Sequence, residues 1–217
     1  FMDGKPYVEG VKAILNIAKQ FDDLEFVDLG GGFGIPYEKL NDQPRLDMVE
    51  LGKQLDEVFE QFVKDYGKEI TFKIEPGRYV SAECGVLLGT VTAVKHNGED
   101  KYIGTDIGFN VLQRPVMYDS HHDIEVYNDS DNTEDVTVVG NICESGDILA
   151  KHRICPEMHV GDTMAMLDAG AYGYCMASNY NNRLRPAEVL IRENGEAVLV
   201  RERDELEDLT RHMKSIK

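Results

Sequence analysis

Near the start of the chain, Val8, Val11, Leu15 and Ala18 recur at three- and four-residue spacing, which predicts an amphipathic helix. Gln20 and Asp22–Asp23 break this rhythm, and the compact apolar run Leu24–Leu29 predicts a strand. A glycine loop follows directly: Gly30-Gly31-Gly32-Phe33-Gly34. After Pro36 and a polar connector, Leu51, Leu55, Val58, Phe59, Phe62 and Tyr66 mark a second, longer helix with Gly67 as its C-cap. The run Ile70–Ile74 predicts the next strand. Helix and strand in alternation imply parallel strands covered by helices.

The rhythm changes near Arg78, and helical periodicity fades from Gly85 onward. Short β-rich runs replace it: Val86–Val94, Lys101–Thr105, Asp123–Tyr127, Val136–Val139, Thr163–Leu167, Glu188–Arg192 and Ala197–Arg201. Polar or glycine turns separate them, and Asn97-Gly98 and Asn194-Gly195 are hairpin signals. A short helix is expected over Leu206–Met213. The chain therefore divides into an α/β part, residues 1–84, and an all-β part, residues 85–217. No internal repeat is visible.

Length sharpens this picture. A complete β/α barrel takes about 250 residues, whereas the whole chain has 217, with 42% hydrophobic. Residues 1–84 thus read as part of a barrel, and Phe1 in place of an initiator methionine points to processing or truncation. The net charge of −17 repels phosphate backbones and anionic lipid, which argues against nucleic-acid and membrane partners. No apolar run approaches the roughly 18 residues of a membrane span. Cys84, Cys143, Cys155 and Cys175 lack CxxC spacing and read as free structural thiols of an intracellular protein.

The candidate chemistry lies at strand ends and turns. The triple glycine fits either a tight strand-to-helix turn or a loop that closes backbone N–H groups on a phosphate. Pro36 and the long connector interrupt a dinucleotide fingerprint, so a single phosphate suits it better than a pyrophosphate. At the next strand end, Glu75-Pro76-Gly77-Arg78 sets a carboxylate beside an arginine able to clamp a substrate carboxylate. Arg114-Pro115-Val116-Met117-Tyr118 reads as an extended strand with Arg114 and Tyr118 on one side. Cys143-Glu144-Ser145-Gly146-Asp147 gathers a thiol and two acids in a turn, and Asp168-Ala169-Gly170-Ala171-Tyr172-Gly173 allows close backbone approach to a ligand or simple tight packing. The acidic run Asn128–Asp135 lacks calcium-loop spacing and reads as a solvated loop. His121-His122-Asp123 gives no metal site, because neighbours on a strand face opposite ways.

In this order the motifs resemble the alanine-racemase-like (fold type III) decarboxylases that use pyridoxal 5′-phosphate. The carrying segments are Asp28–Ile35, Glu75–Arg78, Arg114–Tyr118, Cys143–Asp147, Asp168–Gly173, and Tyr180-Asn181 with Arg185–Val189. The resemblance runs through nearly the whole chain, and it implies the C-terminal part of a cofactor-binding β/α barrel followed by a β-barrel or sandwich-like domain. Within the family the match lies nearest the enzymes that convert meso-2,6-diaminopimelate to L-lysine and CO2. It implies that Gly30, Gly31 and Gly32, with Gly77 and Arg78, hold the cofactor phosphate, that Glu75 faces the pyridine nitrogen, and that Tyr172 contacts the cofactor near its phosphate. Arg78, Arg114 and Tyr118 would bind the distal carboxylate. Cys143, a candidate proton donor, and Glu144, a reader of the distal ammonium, would reach across a homodimer into a shared active site. A cytoplasmic enzyme of lysine biosynthesis is implied, without a metal.

One departure stands out. The family carries its Schiff-base lysine on an early barrel strand well upstream of the glycine loop, and a ring-stacking histidine also lies ahead of this region. Lys5, Lys12 and Lys19 precede the loop, but none has that strand context. The chain is therefore expected to be the C-terminal half of a longer enzyme, inactive alone and completed by the missing N-terminal half. Two alternatives stay open: a relative acting on ornithine, arginine or carboxynorspermidine, and a non-catalytic regulator of a related decarboxylase.

Overall fold

Helix α1 (Gly4–Ala18) opens with Asp3, whose side chain accepts from the Lys5 N–H at 2.9 Å. Its buried face is Val8, Val11, Leu15 and Ala18. Helix α2 (Met48–Tyr66) starts in the same way: Asp47 accepts from Val49 and Glu50 at 3.0 and 2.9 Å. It stops at Gly67, which adopts φ 83° and donates to the Val63 carbonyl, a conformation that favours glycine. Leu51, Leu55 and Phe62 of α2 join α1, Val27, Leu29, Phe33 and Leu46 in one core. Phe72 stacks on Phe59 with ring centroids 4.1 Å apart and meets Phe62 edge-on.

The computed structural model describes residues 1–215, in two compact units, Phe1–Cys84 and a second from Gly85 onward. In the first unit, β1 (Phe26–Asp28) and β2 (Thr71–Lys73) pair in parallel, with Val27 opposite Phe72. Both are shorter than the apolar runs around them. The one-turn helix α3 (Gly77–Ser81) follows β2.

The second unit is built on a six-stranded sheet. Its strands are β3 (Leu87–Asn97), β4 (Asp100–Thr105), β5 (Ile124–Tyr127), β6 (Thr133–Val139), β7 (Ile148–Pro156) and β8 (Thr163–Met166), in the spatial order β5-β8-β3-β4-β6-β7. All neighbours are antiparallel except β4 and β6, which run parallel. The end strands β5 and β7 lie in contact, so the sheet nearly closes into a barrel. Inside are Val91, Ile103, Leu112, Ile124, Val136, Val138, Leu149, Met158, Met164 and Met166. A separate hairpin pairs β9 (Glu188–Ile191) with β10 (Ala197–Arg201) around Asn194-Gly195, where Gly195 has φ 82°. Helix α5 is Leu206–Thr210, shorter than expected. Among the described residues, no helix is long and apolar enough to cross a membrane.

Two sequence expectations need correction, and one strand is new. Arg114–Tyr118 is a helix, α4, not an extended strand; Pro115 sits in its first turn, where a missing N–H costs no hydrogen bond. Asn128–Asp135 is not simply solvated: Asn128 donates to the Glu157 carbonyl and the Asp162 carboxylate, and β6 already begins at Thr133. The new strand is β7, which was not anticipated. Its burial does not alternate, and His152 within it takes φ 46°, where the pairing with β6 shifts register.

Candidate functional site

In the first unit the pairing of β1 with β2 continues one step past both strands. The Leu29 N–H donates to the Lys73 carbonyl at 2.9 Å, and the Glu75 N–H donates to the Gly30 carbonyl at 2.8 Å. The glycine loop and the Glu75 segment are thereby joined backbone to backbone. Gly30 has φ 66° and donates to the Asp28 carboxylate at 2.9 Å, and Gly32 has φ 94°. A Cβ on Gly31 would collide with the Glu75 carbonyl oxygen. Among the described residues, no acceptor meets the N–H of Gly31 or Gly32. The Phe1 ring packs near Gly32 and its ammonium donates to the Gly32 carbonyl at 2.6 Å, but the loop itself carries no side chain and has two N–H donors available to an anion, so its chemistry fits a phosphate group. The Gly77 N–H donates to the Glu75 carbonyl at 2.9 Å and turns the chain into α3, which carries Arg78. The Glu75 side chain stays exposed.

Tyr7 went unremarked in the sequence. Its hydroxyl reaches the Leu29 and Gly30 carbonyls at 3.4 and 3.5 Å. Burial, and then the Asp28 charge, push its pKa up, so it remains a proton donor beneath the loop.

In the second unit, α4 sets Arg114 and Tyr118 one turn apart on one face, about 6 Å between Cβ atoms. An extended strand would hold them about twice as far apart. Arg114 is buried and Tyr118 exposed. One guanidinium nitrogen lies 2.9 Å from His122 Nε2, and the other donates to Ser120 Oγ at 3.2 Å. His122 lies ahead of β5, not on a strand, and is also buried, with Nδ1 2.7 Å from the Leu167 carbonyl. Burial lowers its pKa to about 4, and the Arg114, His121 and Arg153 charges add to that.

Cys143 and Glu144 stand exposed at the tip of a loop organised by Asp147. The buried Asp147 carboxylate accepts from Phe109 at 2.7 Å and Ile142 at 2.8 Å, and the Gly140 N–H donates to its carbonyl at 2.9 Å. A Cβ on Gly140 would run into that carboxylate. Burial pushes the Asp147 carboxyl up, opposed by the two N–H donors. Arg183 donates to the Asn141 carbonyl at 2.6 Å, and Tyr180 OH reaches Glu144 at 3.5 Å. Cys143, Asn181, Asn182 and Arg183 line an open cleft of about 630 Å³.

Beyond β8, Asp168 and Tyr172 take φ 57° and 58°, and the Ala169 N–H is fixed on the Gly85 carbonyl at 2.7 Å. A Cβ on Gly173 would strike the Ala169 carbonyl, so this turn is tight and displays Tyr172 outward. The candidate residues thus fall into two sets. Gly30, Gly31, Gly32, Glu75, Gly77 and Arg78 belong to the first unit, and Arg114, Tyr118, Cys143, Glu144 and Tyr172 to the second. Among the described residues, no group of three or more His, Cys, Asp or Glu is placed to hold a metal ion.

The family described as pyridoxal-dependent decarboxylase, C-terminal sheet domain, matches residues 27–170. Diaminopimelate decarboxylase of Methanothermobacter thermautotrophicus is 39% identical over 218 residues, covering 97% of this chain and 50% of that protein. The crystal structure of diaminopimelate decarboxylase from M. jannaschii superposes with a TM-score of 0.88 at 33% identity, over 100% of this chain and 50% of that one. That of Helicobacter pylori, complexed with L-lysine, gives 0.84 at 32% identity, over 97% and 51%. The chain spans about half the length of the curated relatives it matches. It belongs to the pyridoxal-dependent decarboxylases, with the β/α segment and C-terminal sheet domain of that family.

Proposed function

We propose that this chain is the C-terminal half of a pyridoxal 5′-phosphate-dependent decarboxylase that converts meso-2,6-diaminopimelate to L-lysine and CO2. The observation that carries the reading is the union of the glycine loop with the Glu75 segment, in which Gly31 has no room for a side chain and Gly30 and Gly32 take positive φ. Residues 1–84 are then the end of the cofactor-binding barrel and residues 85–217 its partner β domain.

Bound there, pyridoxal phosphate supplies an electron sink for the pair left when the α-carboxylate departs. Gly31 and Gly32 would offer N–H donors to its phosphate in the loop that Gly30 and Gly77 shape, and Arg78 and Tyr172 would be further contacts. Glu75 would hold a proton on the pyridine nitrogen of the bound cofactor. Arg78, Arg114 and Tyr118 bind the distal carboxylate, and Glu144 binds the distal ammonium. Cys143 returns a proton to the α-carbon after the carbon–carboxylate bond breaks. Cys143 and Glu144 serve the partner's site in a homodimer, in keeping with their exposure at a loop tip. The proposed location is the cytoplasm.

The test is CO2 release from meso-diaminopimelate with added pyridoxal phosphate, using this chain alone and a polypeptide extended to complete the barrel. Turnover is expected only from the extended form. Turnover by the chain alone would refute the half-enzyme reading. Turnover of ornithine or arginine in place of diaminopimelate would refute the substrate.

A further inference from the structure

The segment Ser120–Asp123 has no role in the reading above, yet it contains a buried histidine locked between two of the proposed site elements. His122 Nδ1 lies 2.7 Å from the Leu167 carbonyl, which can only accept, so Nδ1 carries the proton. Nε2 is then a lone-pair acceptor, and the Arg114 guanidinium 2.9 Å away can only donate. The two contacts select one tautomer of a neutral ring. Leu167 in turn donates its N–H to the Asp123 carbonyl at 2.9 Å and immediately precedes the Asp168–Gly173 turn that displays Tyr172. The charged groups facing this histidine are Arg114, His121, Arg153, which donates to the His122 carbonyl, and Asp123, which bonds His121. Burial above all, with the Arg114 and Arg153 guanidinium groups beside the ring, keeps it uncharged.

We infer that His122 is a positioning residue that aims the Arg114 guanidinium at the substrate carboxylate and ties helix α4 to the turn bearing Tyr172. This rests on the assignment of Arg114 to the substrate's distal carboxylate. A buried arginine has several rotamers, and an acceptor on a rigid ring anchored at its far side selects one of them. The fixed tautomer also makes the bond directional: an Nε2–H ring would present a donor to a donor.

The test uses the complete enzyme. The first readout is independent of turnover: long-range nitrogen-15 correlation of the His122 ring near pH 7, where a neutral Nδ1–H form is expected. An Nε2–H or doubly protonated ring would overturn the inference. The second readout is steady-state kinetics on meso-diaminopimelate. In His122→Gln the side-chain amide overlays Nε2 and can still accept from Arg114; in His122→Asn it overlays Nδ1 and cannot. His122→Asn is expected to raise KM about tenfold with little change in kcat, as for loss of a hydrogen bond to a charged group, and His122→Gln to recover most of that. Loss in His122→Gln with His122→Asn spared would place the role in the Leu167 bond, and equal loss in both would place it in the packing of the ring; either overturns the assignment to Arg114. Arg114→Met separates the two levels. If it raises KM while His122→Asn matches the parent, the positioning role alone fails. If it leaves KM unchanged, the substrate assignment of Arg114 fails, and the inference with it.

Discussion

Replacing Gly31 by alanine tests the cradle most directly. The new methyl would lie against the Glu75 carbonyl oxygen, well inside the roughly 3.5 Å of ordinary contact. The obstacle is backbone and cannot swing aside as a side chain would. Either the glycine loop or the Glu75 segment must shift, and the 2.8 Å bond from the Glu75 N–H to the Gly30 carbonyl lies across the line of movement. Overpacking costs about 1–3 kcal/mol, and a stretched backbone hydrogen bond adds about 1 kcal/mol. The sum, about 2–4 kcal/mol, corresponds to a loss of roughly thirtyfold to a thousandfold in cofactor affinity if it falls wholly on binding. Absorbance titration of the complete enzyme with pyridoxal phosphate reads the affinity, and thermal unfolding reads any part that falls on the fold. Gly52→Ala is the control: this glycine lies inside α2 with nothing within 4 Å of an added Cβ. It should raise stability by about 1 kcal/mol. Gly31→Ala that binds cofactor and melts as the parent does would refute the reasoning.

Further outcomes follow from other contacts. Asp147→Asn exchanges one acceptor oxygen for a donor amide facing the Phe109 or Ile142 N–H, and should cost about 1–3 kcal/mol in urea unfolding; an unchanged midpoint would show that the loop stands without it. Glu83 accepts from Arg45 at 2.6 and 2.7 Å and pairs with Lys39 at 3.2 Å, and these contacts hold its pKa down to about 2. A lowered folded-state pKa gives stability that is present above the unfolded value near 4.5 and is lost as pH falls toward 2. Glu83→Gln should therefore lower stability at pH 6 and above, match the parent near pH 2, and so flatten the acid limb between those values; an unaltered acid limb would count against the pairing. Asp47→Ala removes the cap of α2 and should lower stability by about 1 kcal/mol by denaturant melt, whereas no shift would mean that the end frays freely.

Where local chemistry decides, the sequence was readable. The buried faces of α1 and α2 are the apolar positions at helical spacing, and Gly67 and Asn194-Gly195 act where positive φ is needed. Strand β7 escaped because its outward run Lys151-His152 and a bulge at His152 erase the alternation that marks a strand. Helix α4 escaped because five residues carry too little periodicity to separate helix from strand. The turn motifs were visible as residues, but not their supports. Asp147 bonds Phe109, 38 positions away, and His122 bonds Leu167, 45 away. No local pattern announces such partners. His122 was set aside as a metal ligand because neighbours on a strand face opposite ways; its partner, the Arg114 guanidinium, lies eight positions back and left no mark in the pattern.

The order of the six-stranded sheet also governs how this unit comes into being. Strand β3 forms a tight hairpin with β4 on one side, but on the other it waits for β8, some seventy residues later in the chain. The hairpin can form in roughly microseconds, whereas closing the long loop to β8 is the kind of non-local step that slows β-rich domains to about milliseconds or seconds. During synthesis at about 5–20 residues per second, the flank of β3 therefore stays open for several seconds after it leaves the ribosome. In that interval it can pair with the wrong strand, so folding yield should depend on how soon Thr163–Met166 arrives.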